Sequence, residues 1–504
     1  MRGERRAALL VFLLLAGVST SLALRASVAP PRGTVFVGTH FYVDDFYNYL
    51  SYVEQAERGS LVFRNKLSDP AHPPSLVNLE WSTVGWLSAL LGGRPLLAYR
   101  AFGLVAIAAL VLAIAWWLVR AGLPPERRLA GLLLVGTGGG LGGLLLALGL
   151  LPGERALDVR TGAFPFVEAV ANPHFVAGTA LLLAALGAFA SGRGALGAAL
   201  GTVLGLVRPY DAALLAGIEG LAVLLTVPAR EWPRRLLPVL ALLPVLAYDG
   251  WLFLAGPGFS AFSSPRYARL APAAGDLALA LGPAALLALT AARLRRDEGA
   301  HYRLRLGLWA ALALLVVVVR PVSFSLQHVV GIGVPLLVLG AVGLSRLPRG
   351  VLEAAVPLMA STAAVVTWLC TTPSPSRYAP VERWRAALAL REVCRPGEVA
   401  FAPPDIGLYL GGLSACWPYV SHAAAPEHDA RAAAVGRFYG EATPAERAAL
   451  LDRAGVAHVV LPAGVPPGWL GPDTPFRARS SAASPRGALV VWSRDGRPRV
   501  GQDD

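Results

Sequence analysis

Two adjacent aspartates, Asp44 and Asp45, sit in a run of aromatics, His40-Phe-Tyr-Val-Asp-Asp-Phe-Tyr-Asn-Tyr49. A carboxylate against a dry aromatic surface has a raised pKa and can act as a general base. Neighbours in a helix do not share a face, so one aspartate is expected to face a site while the other caps or pairs. The bland alternative is that both cap a helix over 46–56. Further along the same stretch comes Ser68-Asp-Pro-Ala-His72-Pro-Pro74. A second polar group holds Glu154, Asp158, Arg160 and Glu168, then Asn172-Pro-His174, with His174 at the start of an apolar block. A third is Arg208-Pro-Tyr210-Asp211, which either neutralises itself or binds a phosphate or a sugar hydroxyl. A fourth holds Arg266 and Arg269 after Ser263-Ser-Pro265, then Arg320-Pro321 and His328. The planar, always charged guanidinium suits phosphate, although Arg320 at the end of an aliphatic run also fits simple snorkelling.

These groups must be positioned by membrane helices. The 504-residue chain is 55% hydrophobic and only 15% charged, with a mean hydropathy of +0.54. Soluble chains are nearer a quarter charged. The apolar residues come in long blocks, and a span needs about 20 of them. The sequence predicts about eleven spans, near 7–26, 98–119, 129–151, 174–191, 194–207, 211–228, 236–255, 275–292, 306–320, 328–345 and 350–370. The first follows Met1-Arg-Gly-Glu-Arg-Arg6 and reads as an uncleaved helix rather than a signal peptide.

Arginines mark the sides. With the N-terminus inside, the inner loops hold Arg2, Arg5, Arg6, Arg120, Arg127, Arg128, Arg193, Arg230, Arg234, Arg235, Arg293, Arg295, Arg296, Arg303, Arg305, Arg346 and Arg349, and the outer loops hold few. The loop 28–97 and the tail from 371 then lie outside, as do all four polar groups. The net charge of +13 rests almost wholly on arginine, Lys66 being the only lysine. No basic stripe interleaved with aromatics appears, which argues against nucleic acid as a partner.

After Cys370 the chain changes character. A Pro/Ser linker over 371–378 precedes a helix at 381–393, strands at 398–401, 456–461 and 488–493, and a helix at 445–454, the alternation of a small α/β domain. There is no CxxC pair and no zinc spacing. Cys394 and Cys416 either pair in an oxidising compartment or stay as separate buried thiols.

The first span, the outer loop with Asp44-Asp45, and His72-Pro-Pro74 followed by Gly92, Gly93 and Arg100 resemble the GT-C superfamily of membrane glycosyltransferases. That superfamily includes protein O-mannosyltransferases, the aminoarabinose transferase of lipid A and oligosaccharyltransferase catalytic subunits. Asn172-Pro-His174, Arg208-Pro-Tyr-Asp211 and the tail segments Ala402-Pro-Pro-Asp-Ile-Gly407, Arg437-Phe-Tyr439 and Gly455-Val-Ala-His-Val459 are similar to those of bacterial proteins of this class. The resemblance implies a polytopic α-helical membrane protein with a GT-C-like domain over 1–370 and a small extracytoplasmic α/β domain over 371–504. It implies a bacterial inner (cytoplasmic) membrane location. It also implies a donor sugar on polyprenyl phosphate and a glycan, lipid or protein acceptor.

By the same resemblance Asp44 or Asp45 is the base, and His72, Asp158, His174, Arg208, Tyr210, Asp211, Arg266, Arg320 and His328 bind substrate or lipid phosphate. A divalent metal, Mg²⁺ or Mn²⁺, is an option with Asp44, Asp158 and His174 as ligands. The oligosaccharyltransferase WWD-type tail motif is not matched by Cys416-Trp417-Pro418, and the Asp-Glu of the O-mannosyltransferases is Asp-Asp here. The rivals are a secondary transporter, favoured by the Gly-rich 131–143, an O-antigen polymerase or ligase, and a non-catalytic scaffold.

Overall fold

A computed structural model describes residues 2–67, 72–260, 272–293, 297–322, 324–423, 425, 427–470, 475–482 and 489–494. The apolar blocks fold as helices because a bilayer leaves no other way to satisfy backbone polar groups. Among the described residues eight helices are long and apolar enough to cross: Gly3–Val28, Pro95–Arg120, Pro173–Ala190, Pro209–Thr226, Ala274–Ala292, Ala300–Val319, Ser325–Leu344 and Val351–Thr371. A helix pair bent by 49°, Ala229–Leu240 and Leu243–Leu254, makes a ninth if it counts as one span.

Two of the about eleven spans expected by length differ from the expectation. The stretch 129–151 is two short helices, Arg128–Thr137 and Gly142–Ala147, separated by Gly138-Gly-Gly140. The break is specific rather than loose. A side chain at Gly139 would overlap Thr362, and one at Gly140 would overlap the Ala280 backbone. The freed backbone groups find partners on neighbouring helices, with Leu141 N–H donating to Leu279 O at 2.9 Å and Gly140 N–H to Thr362 Oγ1 at 3.1 Å. The stretch 194–207 is a helix of 12 residues, Gly194–Gly205, about 18 Å long and so shorter than a hydrocarbon core.

The chain divides into two compact units. The first is Met1–Ala26, Tyr99–Leu254 and Ser263–Thr372, the helical bundle. The second is Ser27–Ala98, Ala255–Phe262 and Pro373–Asp504. The first loop and the tail are therefore one folded body, where the sequence reading groups the loop with the spans.

Within the second unit, strand β1 (Thr34–Phe36) pairs antiparallel with β2 (Tyr378–Pro380). The tail builds a five-stranded sheet from β3 (Val399–Phe401), β4 (Trp417–Pro418), β5 (Val456–Pro462), β6 (Phe476–Ala482) and β7 (Leu489–Arg494), in the order β4-β3-β5-β7-β6. The β4-β3-β5 portion is parallel and the β5-β7-β6 portion antiparallel. Its core is Phe401, Val420, Val435, Phe438, Leu451 and Val459 with their neighbours. Cys394 and Cys416, left open by the sequence, form a disulfide that ties the end of helix Val381–Val393 to the start of β4.

Candidate functional site

Asp44 and Asp45 occupy the first turn of helix Val43–Glu57, where a negative charge suits the helix dipole. The helix is entered through Tyr42, a non-glycine residue held left-handed at φ 51° and ψ 47° with no side-chain cap. Such a conformation costs about 1–3 kcal/mol and persists only where the surroundings impose it. The surroundings are tight on both sides. A Cβ on Gly412 of helix Pro404–Leu413 would lie 2.6 Å from Tyr47 O, and one on Gly85 of helix Leu79–Leu90 would lie 2.9 Å from Glu57 N. Only glycine permits either approach. Tyr47 completes the seating, donating to Val37 O at 2.7 Å and meeting the Tyr409 ring edge-on at 5.1 Å.

The two carboxylates have different surroundings. Asp45 meets Nε2 of His422 at 3.2 Å, a contact from the tail to the first loop. Asp44 lines a small pocket with Asn48, Ser51, Lys66 and, from the tail, Leu408, Pro418 and Ser421. Lys66 is buried there, with Nζ donating to Glu54 Oε2 at 3.1 Å, Gly411 O at 3.2 Å and Ser414 O at 2.6 Å. Burial pushes its ammonium pKa down, against the pull of Glu54. His72 lies in the same unit. Its ring meets Asn65 O at 3.1 Å and Pro73 O at 2.8 Å, stands edge-on to Trp417 at 5.7 Å, and takes the space that a Cβ on Gly258 would occupy.

The other described candidates lie in the helical bundle. Arg208 is fully buried, donates to Asp211 Oδ2 at 2.8 Å and to Gln327 O at 3.2 Å, and lies 5.5 Å from the Phe175 ring centroid. Buried Glu168, which accepts from Thr179 Oγ1 at 3.1 Å, feels both Arg208 and Asp211, and burial pushes its carboxyl well above the usual range. His174 lies near enough to act on Asp211 electrostatically. Tyr210 stacks on Phe253 and meets His328 edge-on at 6.2 Å, with His328 buried. Arg208, Tyr210, Asp211, His174 and His328 thus gather, joined by Glu168. The guanidinium is already spent on a carboxylate and a carbonyl.

Asp158 stands apart. Its Oδ2 accepts from Gly143 N–H at 3.0 Å and from Thr362 Oγ1 at 2.7 Å, so it fastens the broken span, and burial raises its pKa. Arg320 is exposed, at the left-handed end (φ 59°) of helix Ala300–Val319. Arg266 and Arg269 lie outside the described residues.

Sequence reasoning missed His422, although Cys416-Trp-Pro-Tyr-Val-Ser-His422 places it just past the disulfide. It gave Lys66 no role, although one lysine among 45 basic residues is a signal. It also missed Asp249, buried in the bent helix pair with neither carboxylate oxygen hydrogen-bonded among the described residues. Among the described residues, three possible metal-ligating atoms come within 4.8 Å of one another at Cys394, Cys416 and His458, and there the two sulfurs are joined.

The fold is similar to those of two solved membrane glycosyltransferases. One is the arabinofuranosyltransferase AftD from Mycobacteria, at 17% identity and a TM-score of 0.53 over 96% of this chain. This chain spans 40% of the length of AftD. The other is ArnT from Cupriavidus metallidurans bound to undecaprenyl phosphate, at 15% identity and a TM-score of 0.52, with 96% of this chain and 97% of ArnT covered. No protein-family model and no curated protein matches the sequence.

Proposed function

We propose that this protein is a glycosyltransferase that moves a sugar from a polyprenyl-phosphate donor to an acceptor hydroxyl on the extracytoplasmic face of a bacterial inner membrane. The observation that carries the reading is the aspartate pair, seated without slack at a helix N-terminus in a GT-C-like fold. The reaction asks little else of the protein. A carboxylate of the pair takes the acceptor's proton, the freed oxygen attacks the anomeric carbon, and the bond from that carbon to the phosphate oxygen breaks. The electron pair leaves with the polyprenyl phosphate, and the carboxylic acid returns its proton to water. Charge developing on the phosphate calls for a cation. Arg208 is neutralised by Asp211, so Arg320, which is exposed, and Arg266, a candidate from the sequence alone, are the better sources. A glycan, a lipid or a protein hydroxyl serves this chemistry equally.

Donor consumption by purified protein in nanodiscs, with a panel of polyprenyl-phosphate sugars, tests the reading. The expected result is turnover by wild type and a loss on the order of 10³-fold in Asp44→Asn or Asp45→Asn, both folded. Turnover that survives both substitutions removes the pair from the mechanism. Chelation with EDTA in the same assay reads a requirement for Mg²⁺ or Mn²⁺. A second reading, secondary transport, is favoured by one feature, the unpartnered Asp249 in the bent pair. Solute uptake into proteoliposomes without donor consumption is the outcome that selects it.

A further inference from the structure

The contact between His422 and Asp45 joins residues 377 positions apart, and every element around it is tied down. The strand that leads to His422 is held at both ends. The disulfide fixes Cys416 at its start. Tyr419 N–H then donates to Ala400 O at 2.9 Å, and Val420 is buried against the sheet core. Gly407 allows Val420 O to close on helix Pro404–Leu413, where any side chain would overlap it. The aspartate helix is clamped to the same tail helix through Gly412 and through the Lys66 bonds to Gly411 O and Ser414 O. The imidazole is therefore aimed at Asp45 by two rigid supports, and its side chain is 13% exposed against 43% for Asp45. A carboxylate oxygen accepts, so Nε2 carries the hydrogen in this contact.

We propose that His422 is a positioning residue. Its Nε2–H holds the Asp45 carboxylate in one rotamer, and this divides the roles within the pair. Asp45 is the fixed member, and Asp44, which lies outside that contact and lines a small pocket with Lys66 and Ser421, takes the acceptor's proton. The tail thus completes the site by fixing the carboxylate beside the base, and loss of such a positioning contact is worth about 10- to 100-fold in activity. This inference rests on the glycosyltransferase reading.

The test uses the full chain in nanodiscs with a polyprenyl-phosphate sugar that wild type consumes. His422→Ala should lower kcat about 10- to 100-fold with the donor KM little changed. His422→Gln, whose amide N–H falls near the place of Nε2–H, should recover most of that loss. Asp44→Asn should abolish turnover, and Asp45→Asn combined with His422→Ala should be no slower than Asp45→Asn alone. A melting curve for each variant separates a folding loss from a positioning loss. If wild type turns over and folded His422→Ala matches it, or if Gln is no better than Ala, the positioning role is overturned while the glycosyltransferase reading survives. If wild type consumes no donor, both fall together.

Discussion

At the residue scale, the sequence shows charges that are out of place but not what they touch. Asp44 and Asp45 are legible because two carboxylates amid aromatics need a reason. His422 is not, since its partner lies in another segment of chain. Arg208 and Asp211 are legible as a pair, and the structure adds why they are charged at all. The short helix Gly194–Gly205 ends inside the bundle, Val207 and Arg208 are buried, and a charge at that depth must be neutralised where it stands.

Asp158 shows a different case, a carboxylate that invites a catalytic or metal-binding reading and whose Oδ2 is held by Gly143 and Thr362. Its folded pKa is raised by burial. Below about pH 4, the ordinary carboxylate value, it is neutral both folded and unfolded. As the pH rises, the unfolded chain ionises first, so stability is lost up to the raised folded value and stays lost above it. Asp158→Asn does not titrate and still offers an oxygen to Gly143 and Thr362. Its melting temperature should rise relative to wild type between pH 4 and pH 7, and it should keep donor turnover. Loss of turnover at pH 7 with an unchanged melting temperature would return Asp158 to the substrate or to a metal.

At the element scale, long apolar helices are written plainly in the sequence because their period and length leave few alternatives. What it hides is where helices stop short and which elements touch. The triple glycine at 138–140 reads as an ordinary Gly-rich span until the neighbouring Thr362 and Ala280 backbone come into view. The tail helices at 381–393 and 444–453 follow from their patterns, whereas Pro404–Leu413 escapes because its burial comes from the first loop, not from its own periodicity. That helix carries the most direct test of the seating. Gly412→Ala puts a methyl 2.6 Å from Tyr47 O and 2.8 Å from Leu50 Cβ. Neither backbone can yield, so the variant should lose roughly 1–3 kcal/mol of stability and drop in kcat as the aspartate helix shifts. Thermal melts and donor turnover check both, and an unchanged kcat in a destabilised variant would mean that the carboxylates do not depend on this seating.

At the scale of the whole molecule, the number of crossings follows from which helices run side by side. Ser27–Ala98, Ala255–Phe262 and Pro373–Asp504 form one compact unit; if that unit lies on one side of the membrane, the chain between its segments crosses an even number of times. Four spans separate the last two segments. Between the first two, the eight long helices alone give three crossings, Pro95–Arg120, Pro173–Ala190 and Pro209–Thr226, so the bent pair must also cross. That leaves two even solutions, with the broken helix at 128–147 and the short Gly194–Gly205 both crossing or both turning back. The bundle favours crossing. Tyr99 bonds to Asn172 at 2.6 Å and Trp117 to Leu183 O at 2.9 Å, so helices Pro95–Arg120 and Pro173–Ala190 run parallel, and the chain must return between them. Arg305 grips Glu219 at 2.7 Å while Arg208 reaches Gln327, so Pro209–Thr226 runs antiparallel to Ala300–Val319, as a crossing by the bent pair between them requires. With the broken and the short helix both crossing, the expected count is the eleven read from the sequence, with the N-terminus inside. Single cysteines at positions 60, 260 and 376 should then label from outside intact cells, and one at position 191 only after permeabilisation. Labelling of position 191 from outside would mean nine crossings with two re-entrant helices, and labelling of position 60 only after permeabilisation would invert the protein and remove its carboxylates from the extracytoplasmic face.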